Sequence, residues 1–269
     1  MALCENSIYS EIEINQMLNG LRPPTEENFS PPDVTDRTIY VGGYFIEPTT
    51  LIDFNWEHLG AVNTIRNQRS CACCYALCAT AALEAQIFRK TNSLPKLSDQ
   101  QLIECSDQYG NYGCDGGNTG NAYQYILENG IASGIDYQFR PEAVGTCKYN
   151  LSMKAQEILS YRWLSVRDNR FLMDVLVAVG PLAVGVNASL FSYQNYKSGI
   201  YDDPQCVGGI NHAMLLTGFG TDPRDGDFWI LKNSYGKDYG ENGYIRMTRN
   251  ISNFCGLWSY VTFPIYSYT

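Results

Sequence analysis

The chain has 269 residues, enough for one large domain or two ordinary ones, and 45% of them are hydrophobic, which is sufficient for a substantial core. The net charge is −9 and no predicted element carries a cluster of Lys and Arg, so nucleic acid is not an expected partner. No run of about 18 uninterrupted apolar residues is present, so no membrane role is expected either.

The first 50 residues predict a leading segment outside the main domain. Residues 10–19 place acidic residues early in a short apolar pattern, which predicts a short helix. Residues 20–50 contain Pro23-Pro24, Pro31-Pro32 and Gly42-Gly43, and this density of breakers predicts an extended strap. We therefore assign residues 1–48 to a strap that precedes the folded lobes.

Two helices are predicted after the strap. Residues 74–90 are rich in Ala and Leu, lack Gly and Pro, and end in the basic pair Arg89-Lys90, which suits a helix C-terminus. Ser98 and Gln101 form a capping box ahead of Leu102, which predicts the start of a second, shorter helix.

Beyond residue 155 the pattern changes to short apolar runs bounded by Gly, Asp and Asn, which are typical of strands. Helices first and strands second favour an α+β protein of two lobes with a cleft between them. We assign residues 49–155 to a helical lobe and 156–269 to a β-rich lobe. The predicted strands are 182–186, 213–217, 228–231 and 243–248.

A cysteine and a histidine are placed for nucleophilic chemistry. Cys74 begins the most clearly predicted helix, where a thiol pKa falls if a base lies nearby. The chain has only two histidines, and His212, at the entry to a predicted strand, is better placed than His58. Asn233 follows another strand and can orient the second ring nitrogen of a histidine base.

Other interpretations of the same residues stay open at this point. Buried cysteines and strand histidines are more often core residues than catalysts. The motif Cys71-x-x-Cys74 before a helix also suits a redox pair. The cysteines at 71–78 could instead form a metal site. An early βαβ unit is missing and histidine is scarce, which weakens both of these alternatives.

The segment 67–76, Asn-Gln-Arg-Ser-Cys-Ala-Cys-Cys-Tyr-Ala, resembles the nucleophile segment of the papain and cathepsin family of cysteine peptidases. The resemblance extends over about residues 45–265. His212 follows Cys74 by 138 residues, within the family's range of roughly 130–150. Further matching segments are 97–105, 112–117, 180–184, 211–213 and 233–244.

The resemblance implies a cysteine-type endopeptidase with a papain-like fold, an N-terminal helical lobe and a C-terminal β-barrel-like lobe. Cys74 would attack as a thiolate, His212 would act as acid and base, and Asn233 would orient it. Gln68 would join the backbone N–H of Cys74 in an oxyanion hole. No cofactor and no metal are expected.

The resemblance also implies a substrate cleft. Gly117 would offer its backbone to the peptide, and Tyr235 would shield the Asn–His hydrogen bond from water. The side chain of the second residue before the scissile bond would meet Thr119, Gly185, Ala213 and Tyr260. The implied disulfides are Cys71–Cys114, Cys105–Cys147 and Cys206–Cys255.

Some residues depart from the family pattern. Ala72 and Cys73 stand where Gly and Ser are usual, Arg69 replaces a Gly, and Cys78 adds a thiol one turn after Cys74. A side chain at position 72 would crowd the substrate backbone. The alternative function is therefore an impaired pseudo-peptidase that serves as a binding or decoy protein.

The leading segment resembles the C-terminal half of the family's inhibitory propeptide, which crosses the cleft in the reverse direction to substrate. This implies an inactive precursor that is cleaved near Tyr44 to Leu51. The expected partners are polypeptide substrates and cystatin-type inhibitors, and the expected state is a monomer. Ten cysteines favour an extracellular or lysosomal location, although no signal peptide is visible in the first 20 residues.

Overall fold

The structure is a computed structural model that describes residues 20–22, 39–41 and 44–266. The helix predicted at 10–19 lies outside the described residues. None of the described helices is long and apolar enough to cross a membrane. The α-helices are α1 (Cys74–Thr91), α2 (Asp99–Cys105), α3 (Thr119–Asn129), α4 (Asn169–Val179) and α5 (Phe191–Gln194).

Helix α1 forms the centre of the molecule, and its side chains are buried from Cys74 to Ile87. Its alanines allow both lobes to approach the helix closely. It ends at Thr91, and the next residue, Asn92, caps it in a left-handed conformation, with its amide donating to the carbonyl of Phe88. The helix predicted over 74–90 is confirmed. Ser98 caps the next helix as predicted, since its Oγ accepts from the amide of Gln101 at 3.0 Å. The reciprocal half of the capping box is wrong, because the Ser98 amide donates to the carbonyl of Ala132 and the Gln101 side-chain oxygen accepts from the Ala132 amide.

The second half of the chain builds most of an eight-stranded sheet that is antiparallel except for one parallel pair, in which residues 200–201 lie beside residues 246–247. All four strands predicted there are present, within one residue or as parts of longer strands. The strands are β3 (Phe54–Asn55), β6 (Ser160–Trp163), β7 (Leu182–Val186), β8 (Ile200–Tyr201), β9 (His212–Asp222), β10 (Gly226–Lys232), β11 (Tyr244–Thr248) and β12 (Val261–Ile265). Their order across the sheet is β6-β12-β7-β9-β10-β11-β8, with β3 beside β9.

Three apolar clusters divide the interior of the described part of the chain, and two shorter strand pairs lie outside the large sheet. One cluster fills the helical half around α1, α2 and α3, and a larger one lies between the sheet and α4. A third cluster lies between these halves and contains Cys74. The predicted α+β class with two lobes and a cleft is confirmed. The short pairs are β1 (Ile39–Val41) with β2 (Tyr44–Ile46), and β4 (Ile131–Ala132) with β5 (Lys154–Gln156).

Each lobe receives a segment from the other half of the sequence. Strand β3 pairs with β9, and Trp56 Nε1 donates to the carbonyl of Leu176 at 2.8 Å, so residues 54–56 belong to the β-rich side. Tyr266 packs in the helical cluster. Residues 54–56 and Tyr266 thus pack with the opposite lobe, and the divisions at 49 and 155 stay predictions.

A buried ion cluster anchors the loop that leads to Cys74. Arg66 pairs with Glu84 and with Asp99, and the Arg66–Asp99 distance is 3.1 Å. Thr80 also donates to Asp99. Burial raises the pKa of Asp99, and Arg66 opposes that rise. Arg66 thus balances two carboxylates that water cannot reach.

We expect Arg66→Met to lower the free energy of unfolding by about 3–5 kcal/mol, because it leaves buried charge uncompensated. Without Arg66 the pKa of Asp99 rises further above its unfolded value, so the deficit should grow as the pH rises from 5 to 8. Urea unfolding at both pH values measures this effect. A deficit below about 1 kcal/mol at both pH values would contradict it.

Candidate active site

Cys74 is the first residue of α1. Its predecessor Cys73 makes no side-chain cap and the first turn holds no acidic residue, so the helix start presents free positive dipole character. The sulfur accepts hydrogen bonds from the amide of Ala213 at 3.4 Å and from the amide of Gly20 at 3.2 Å. The thiol therefore lies beside the first residues of β9 and beneath the strap.

His212 and Asn233 form a hydrogen-bonded pair with defined chemistry. His212 Nε2 is 2.8 Å from Asn233 Oδ1, and the same oxygen accepts from the amide of Ser234 at 2.7 Å. Because a backbone N–H can only donate, the shared atom must be the amide oxygen, and His212 Nε2 carries the proton. Nδ1 of neutral His212 is then the unprotonated nitrogen and has no hydrogen-bond partner among the described residues.

Tyr235 covers this pair. Its ring stacks on His212 with centroids 4.7 Å apart and an interplanar angle of 30°. His212 and Asn233 are both buried. The hydrogen bond that fixes the tautomer of His212 is therefore buried next to a stacked aromatic ring.

Residues 20–22 lie across the cleft and bury the thiol. The amide of Gly117 donates to the carbonyl of Gly20 at 2.7 Å, and the backbone amide of Arg22 donates to the carbonyl of Gly117 at 2.6 Å. These two bonds form a parallel bridge between Leu21 and Gly117. The amide of Leu21 donates to Asn211 at 3.0 Å. Gly117 offers its backbone here to a segment of its own chain.

Burial shifts both titrating groups away from the ion pair that thiol catalysis requires. It raises the pKa of Cys74 to about 11, although amide hydrogen bonds from Ala213 and Gly20 oppose the rise. It lowers the pKa of His212 to about 4, against the opposing effect of Asn233. The covered site therefore holds a neutral thiol and a neutral imidazole at neutral pH.

Gln68 lies in the loop before α1 and connects the two lobes. Its amide donates to the carbonyl of Ser234 at 2.8 Å, and its side-chain oxygen accepts from the hydroxyl of Ser234. Its Nε2 donates to the carbonyl of Cys71 at 3.1 Å. This holds the side chain near the start of α1, where an oxyanion donor would be needed.

The departures from the family pattern have physical explanations. Arg69 has a φ of 53°, a left-handed conformation that glycine adopts without strain, and its exposed side chain pairs with Glu142. Cys73 packs into the helical cluster and Cys78 into the cluster around Cys74. Ala72 does approach the cleft, because a Cβ added to Gly20 would lie 1.7 Å from the Ala72 carbonyl oxygen and 2.9 Å from its Cβ.

Leu21 occupies an apolar pocket formed by residues that the sequence assigned to substrate binding. It clusters with Ala213 and Tyr260, and a Cβ added to Gly185 would lie 2.8 Å from Leu21 Cδ2. Thr119 supports the pocket indirectly, because its amide donates to the Tyr260 hydroxyl at 2.9 Å. Leu21 therefore lies among Gly185, Ala213 and Tyr260.

The structure contains disulfides Cys71–Cys114, Cys105–Cys147 and Cys206–Cys255, the pairing that the resemblance implies. Within the described ranges, no group of three or more His, Cys, Asp or Glu is arranged to hold a metal ion. The sequence did not identify Leu21 as the occupant of the pocket, nor Ser234 as the residue that fixes the amide of Asn233. Both depend on contacts between distant segments.

Comparisons with known proteins return the family that the sequence resembles. The family described as papain family cysteine protease matches residues 52–265. The chain is similar to cathepsin S of Mus musculus, with 40% identity over 256 residues that cover 94% of this chain and 72% of that protein. It is also similar to procathepsin L of Felis catus, with 35% identity over 257 residues that cover 94% of this chain and 74% of that protein.

Solved structures show the same fold. The digestive procathepsin L2 proteinase of Tenebrio molitor superimposes with a TM-score of 0.82 and 28% identity, covering 95% of this chain and 80% of its own. The bromelain protease of Ananas comosus, solved in complex with the E64 inhibitor, superimposes with a TM-score of 0.75 and 34% identity, covering 81% of this chain and 100% of its own.

Proposed function

The chain belongs to the papain family of cysteine proteases, and from this we propose that it is an endopeptidase made as an inactive precursor, with Cys74, His212 and Asn233 as its catalytic residues. The observation that carries the proposal is the His212 ring. Asn233 Oδ1 fixes its Nε2 as a donor at 2.8 Å, and its Nδ1 is left as the base, while the adjacent amide of Ala213 contacts the sulfur of Cys74.

In the uncovered site, His212 Nδ1 takes the proton of Cys74, and the thiolate attacks the peptide carbonyl. The backbone N–H of Cys74 and the side-chain amide of Gln68 stabilise the oxyanion. His212 then protonates the leaving amine, and water, activated by the same nitrogen, releases the acyl group from the sulfur. Asn233 holds the ring throughout, and Tyr235 keeps water from that bond.

The cleft organises the substrate around this chemistry. Gly117 pairs with the peptide backbone, and the pocket of Gly185, Ala213 and Tyr260, supported by Thr119, takes the second side chain before the scissile bond. Leu21 occupies that pocket in the covered protein, which supports an apolar preference there. The same cleft suits polypeptide substrates, and we extend the proposal to cystatin-type inhibitors and to a monomeric enzyme.

Residues 20–22 support the precursor assignment because they fill the cleft without being a substrate. The strap presents the N–H of Gly20 to the sulfur at 3.2 Å, so the atom opposite Cys74 is a donor and not an electrophilic carbonyl carbon. Maturation by cleavage between Tyr44 and Leu51 is consistent with the exposure of Glu47, Pro48 and Thr50. Three disulfides support an extracellular or lysosomal location.

An end-group analysis tests the endopeptidase assignment. The processed protein should cleave a long internally quenched peptide, blocked at both ends, at an internal bond after a residue preceded by Leu, Val or Ile. Mass spectrometry of the products locates the bond. The endopeptidase assignment would be contradicted if the protein cleaved only peptides with free ends and released only one or two terminal residues from them.

A further inference from the structure

The start of α1 carries two thiols that peptide hydrolysis does not use. Among the described residues, the cysteines outside the three disulfides are Cys73, Cys74 and Cys78, and all three are buried. The proposed function gives a role to Cys74 alone. Reactivity, more than packing, is what distinguishes a thiol from other small side chains, so the chemistry open to Cys73 and Cys78 has to be considered.

Cys78 lies on the same face of α1 as Cys74. The two residues are four positions apart in the helix, which places their Cα atoms about 6 Å apart and their Cβ atoms about 5–6 Å apart. Both belong to the apolar cluster between the two lobes. Cys73 packs instead into the cluster of the helical lobe. Cys78 is therefore the thiol that shares the surroundings of the nucleophile.

A disulfide between Cys74 and Cys78 requires only a small movement. Bonded cysteines have Cα atoms within about 7 Å and Cβ atoms about 4 Å apart, so the Cβ atoms must approach by about 1–2 Å. Cys74 can shift because it is the first residue of α1, where the amides need no partner within the helix. A small cavity lined by Cys78, Ala213 and Lys232 gives the Cys78 sulfur room to turn.

Oxidation of the uncovered nucleophile creates the group that Cys78 can attack. Hydrogen peroxide converts the Cys74 thiolate to a sulfenic acid and releases hydroxide. The Cys78 sulfur then bonds to the Cys74 sulfur, and the S–O bond of the sulfenic acid breaks. The departing hydroxyl takes the Cys78 proton and leaves as water. In total two thiols are oxidised to one disulfide, and one peroxide is reduced to two waters.

The charges around Cys78 suit it to the second of these steps. Burial raises the pKa of Cys78, and the charge of the Cys74 thiolate raises it further. Cys78 is therefore a neutral thiol that peroxide does not attack first. Once Cys74 is a neutral sulfenic acid, its contribution disappears, whereas Lys232 still lowers the pKa of Cys78. The order of oxidation is thus Cys74 first and Cys78 second.

We propose that Cys74 and Cys78 form a modification site at which hydrogen peroxide produces a reversible disulfide, with Cys78 as the resolving thiol. The disulfide keeps the nucleophile in a form that a thiol reductant restores, and it prevents oxidation of Cys74 to the irreversible sulfinic acid. This proposal rests on the proposed function, since it concerns the same nucleophile. The strap delays the reaction in the covered protein, because it buries the Cys74 sulfur.

A disulfide map tests the proposal without peptide hydrolysis. The Gly20→Val chain, whose strap is displaced, is treated with excess hydrogen peroxide, blocked with iodoacetamide and digested with chymotrypsin, which cleaves after Tyr75 and Leu77. These cuts lie between the two cysteines, so a Cys74–Cys78 disulfide holds two fragments together until a reductant is added. We expect this linkage to form at least about 10-fold faster than in the unaltered chain.

The two neighbouring thiols provide matched variants of the Gly20→Val chain. Cys73→Ala should keep the linkage, because Cys73 lies in the other cluster. Cys78→Ala should abolish it and leave Cys74 as a sulfinic acid, which mass analysis detects as a gain of two oxygen atoms. The proposal is overturned if Cys74 becomes a sulfinic acid while Cys78 is present, or if Cys74 pairs with any other cysteine.

Recovery of hydrolysis measures the consequence of the disulfide. After excess peroxide, dithiothreitol should restore most of the hydrolysis of the Gly20→Val chain, and the fraction recovered should be at least about 5-fold lower when Cys78→Ala is added. Equal recovery in the two proteins would overturn the proposal. If neither protein hydrolyses peptide before oxidation, the proposed function fails, and the disulfide map still decides whether Cys78 resolves oxidised Cys74.

Discussion

Gly20→Val in the 269-residue chain should raise peptide hydrolysis at least about 100-fold over the unaltered chain, which corresponds to about 3 kcal/mol. A Cβ at position 20 would lie 1.7 Å from the carbonyl oxygen and 2.3 Å from the carbonyl carbon of Ala72. Both are backbone atoms held at the start of α1, so the strap must leave. Burial of Leu21 contributes about 2 kcal/mol to strap binding, and each backbone hydrogen bond about 1 kcal/mol.

The same change should alter the pH dependence of Cys74. In the covered protein its pKa is raised to about 11, so alkylation should accelerate up to that pH, and the thiolate fraction at pH 7 is only about 10⁻⁴. Removal of the strap restores solvent, which lowers the pKa of Cys74 and raises that of His212 from about 4. Gly20→Val should therefore react rapidly at neutral pH and below.

A matched glycine provides the control. A Cβ on Gly145 would come no closer than 3.8 Å to Glu104, so Gly145→Val introduces the same side chain without a clash. Its hydrolysis and alkylation rates should equal those of the unaltered chain. If Gly20→Val and Gly145→Val behave alike, residues 20–22 do not control access to Cys74.

Cys74→Ala, introduced into the Gly20→Val protein, should lower kcat/KM by at least about 10⁴-fold, because no other group can form the acyl intermediate. His212→Ala should cause a similar loss, and combining the two changes should add little, because the residues act as one unit. Steady-state assays with a quenched peptide measure all three variants.

Cys78→Ala is the thiol control, since Cys78 lies one turn further along α1 in the same buried cluster as Cys74. Its kcat/KM should stay within about 3-fold of the parent, because the change removes one small apolar group. Equal loss in Cys74→Ala and Cys78→Ala, or residual hydrolysis in Cys74→Ala, would contradict the assignment of the nucleophile.

Local chemistry made much of the fold predictable. The Ala-rich run from Cys74 and the N-cap at Ser98 specify helices through propensity and capping, and the apolar runs after residue 155 correspond to strands. The exchanged segment at Phe54 was not predictable, because two residues carry no periodicity and their pairing with β9 depends on tertiary contacts.

The site was less accessible to local reasoning. Cys74 and His212 are 138 residues apart, and no property of either segment alone predicts that the two residues act as a pair. The family resemblance supplied that pairing. The left-handed φ of Arg69 could not be predicted either, because the residue type opposes it and the surrounding loop imposes it.

The contacts of the strap were the least predictable part. Proline and glycine density indicated an extended segment, but extended backbone has no intrinsic register. Register comes from Leu21 in its pocket and Arg22 over Tyr112, and both interactions are made with distant residues. An apolar residue followed by a basic one, as in Leu21-Arg22, is too common a pattern to predict these two interactions from the sequence.

The central claim is that Cys74 and His212 form one reactive pair under a removable strap. Treatment of the Gly20→Val protein with an epoxide thiol inhibitor at mildly acidic pH, followed by peptide mass analysis, tests it most directly. We expect one adduct, on Cys74, that appears as hydrolysis stops and is lost in His212→Ala. Adducts spread over Cys73 and Cys78, or labelling of Cys74 that is independent of His212 and without hydrolysis, would contradict the claim.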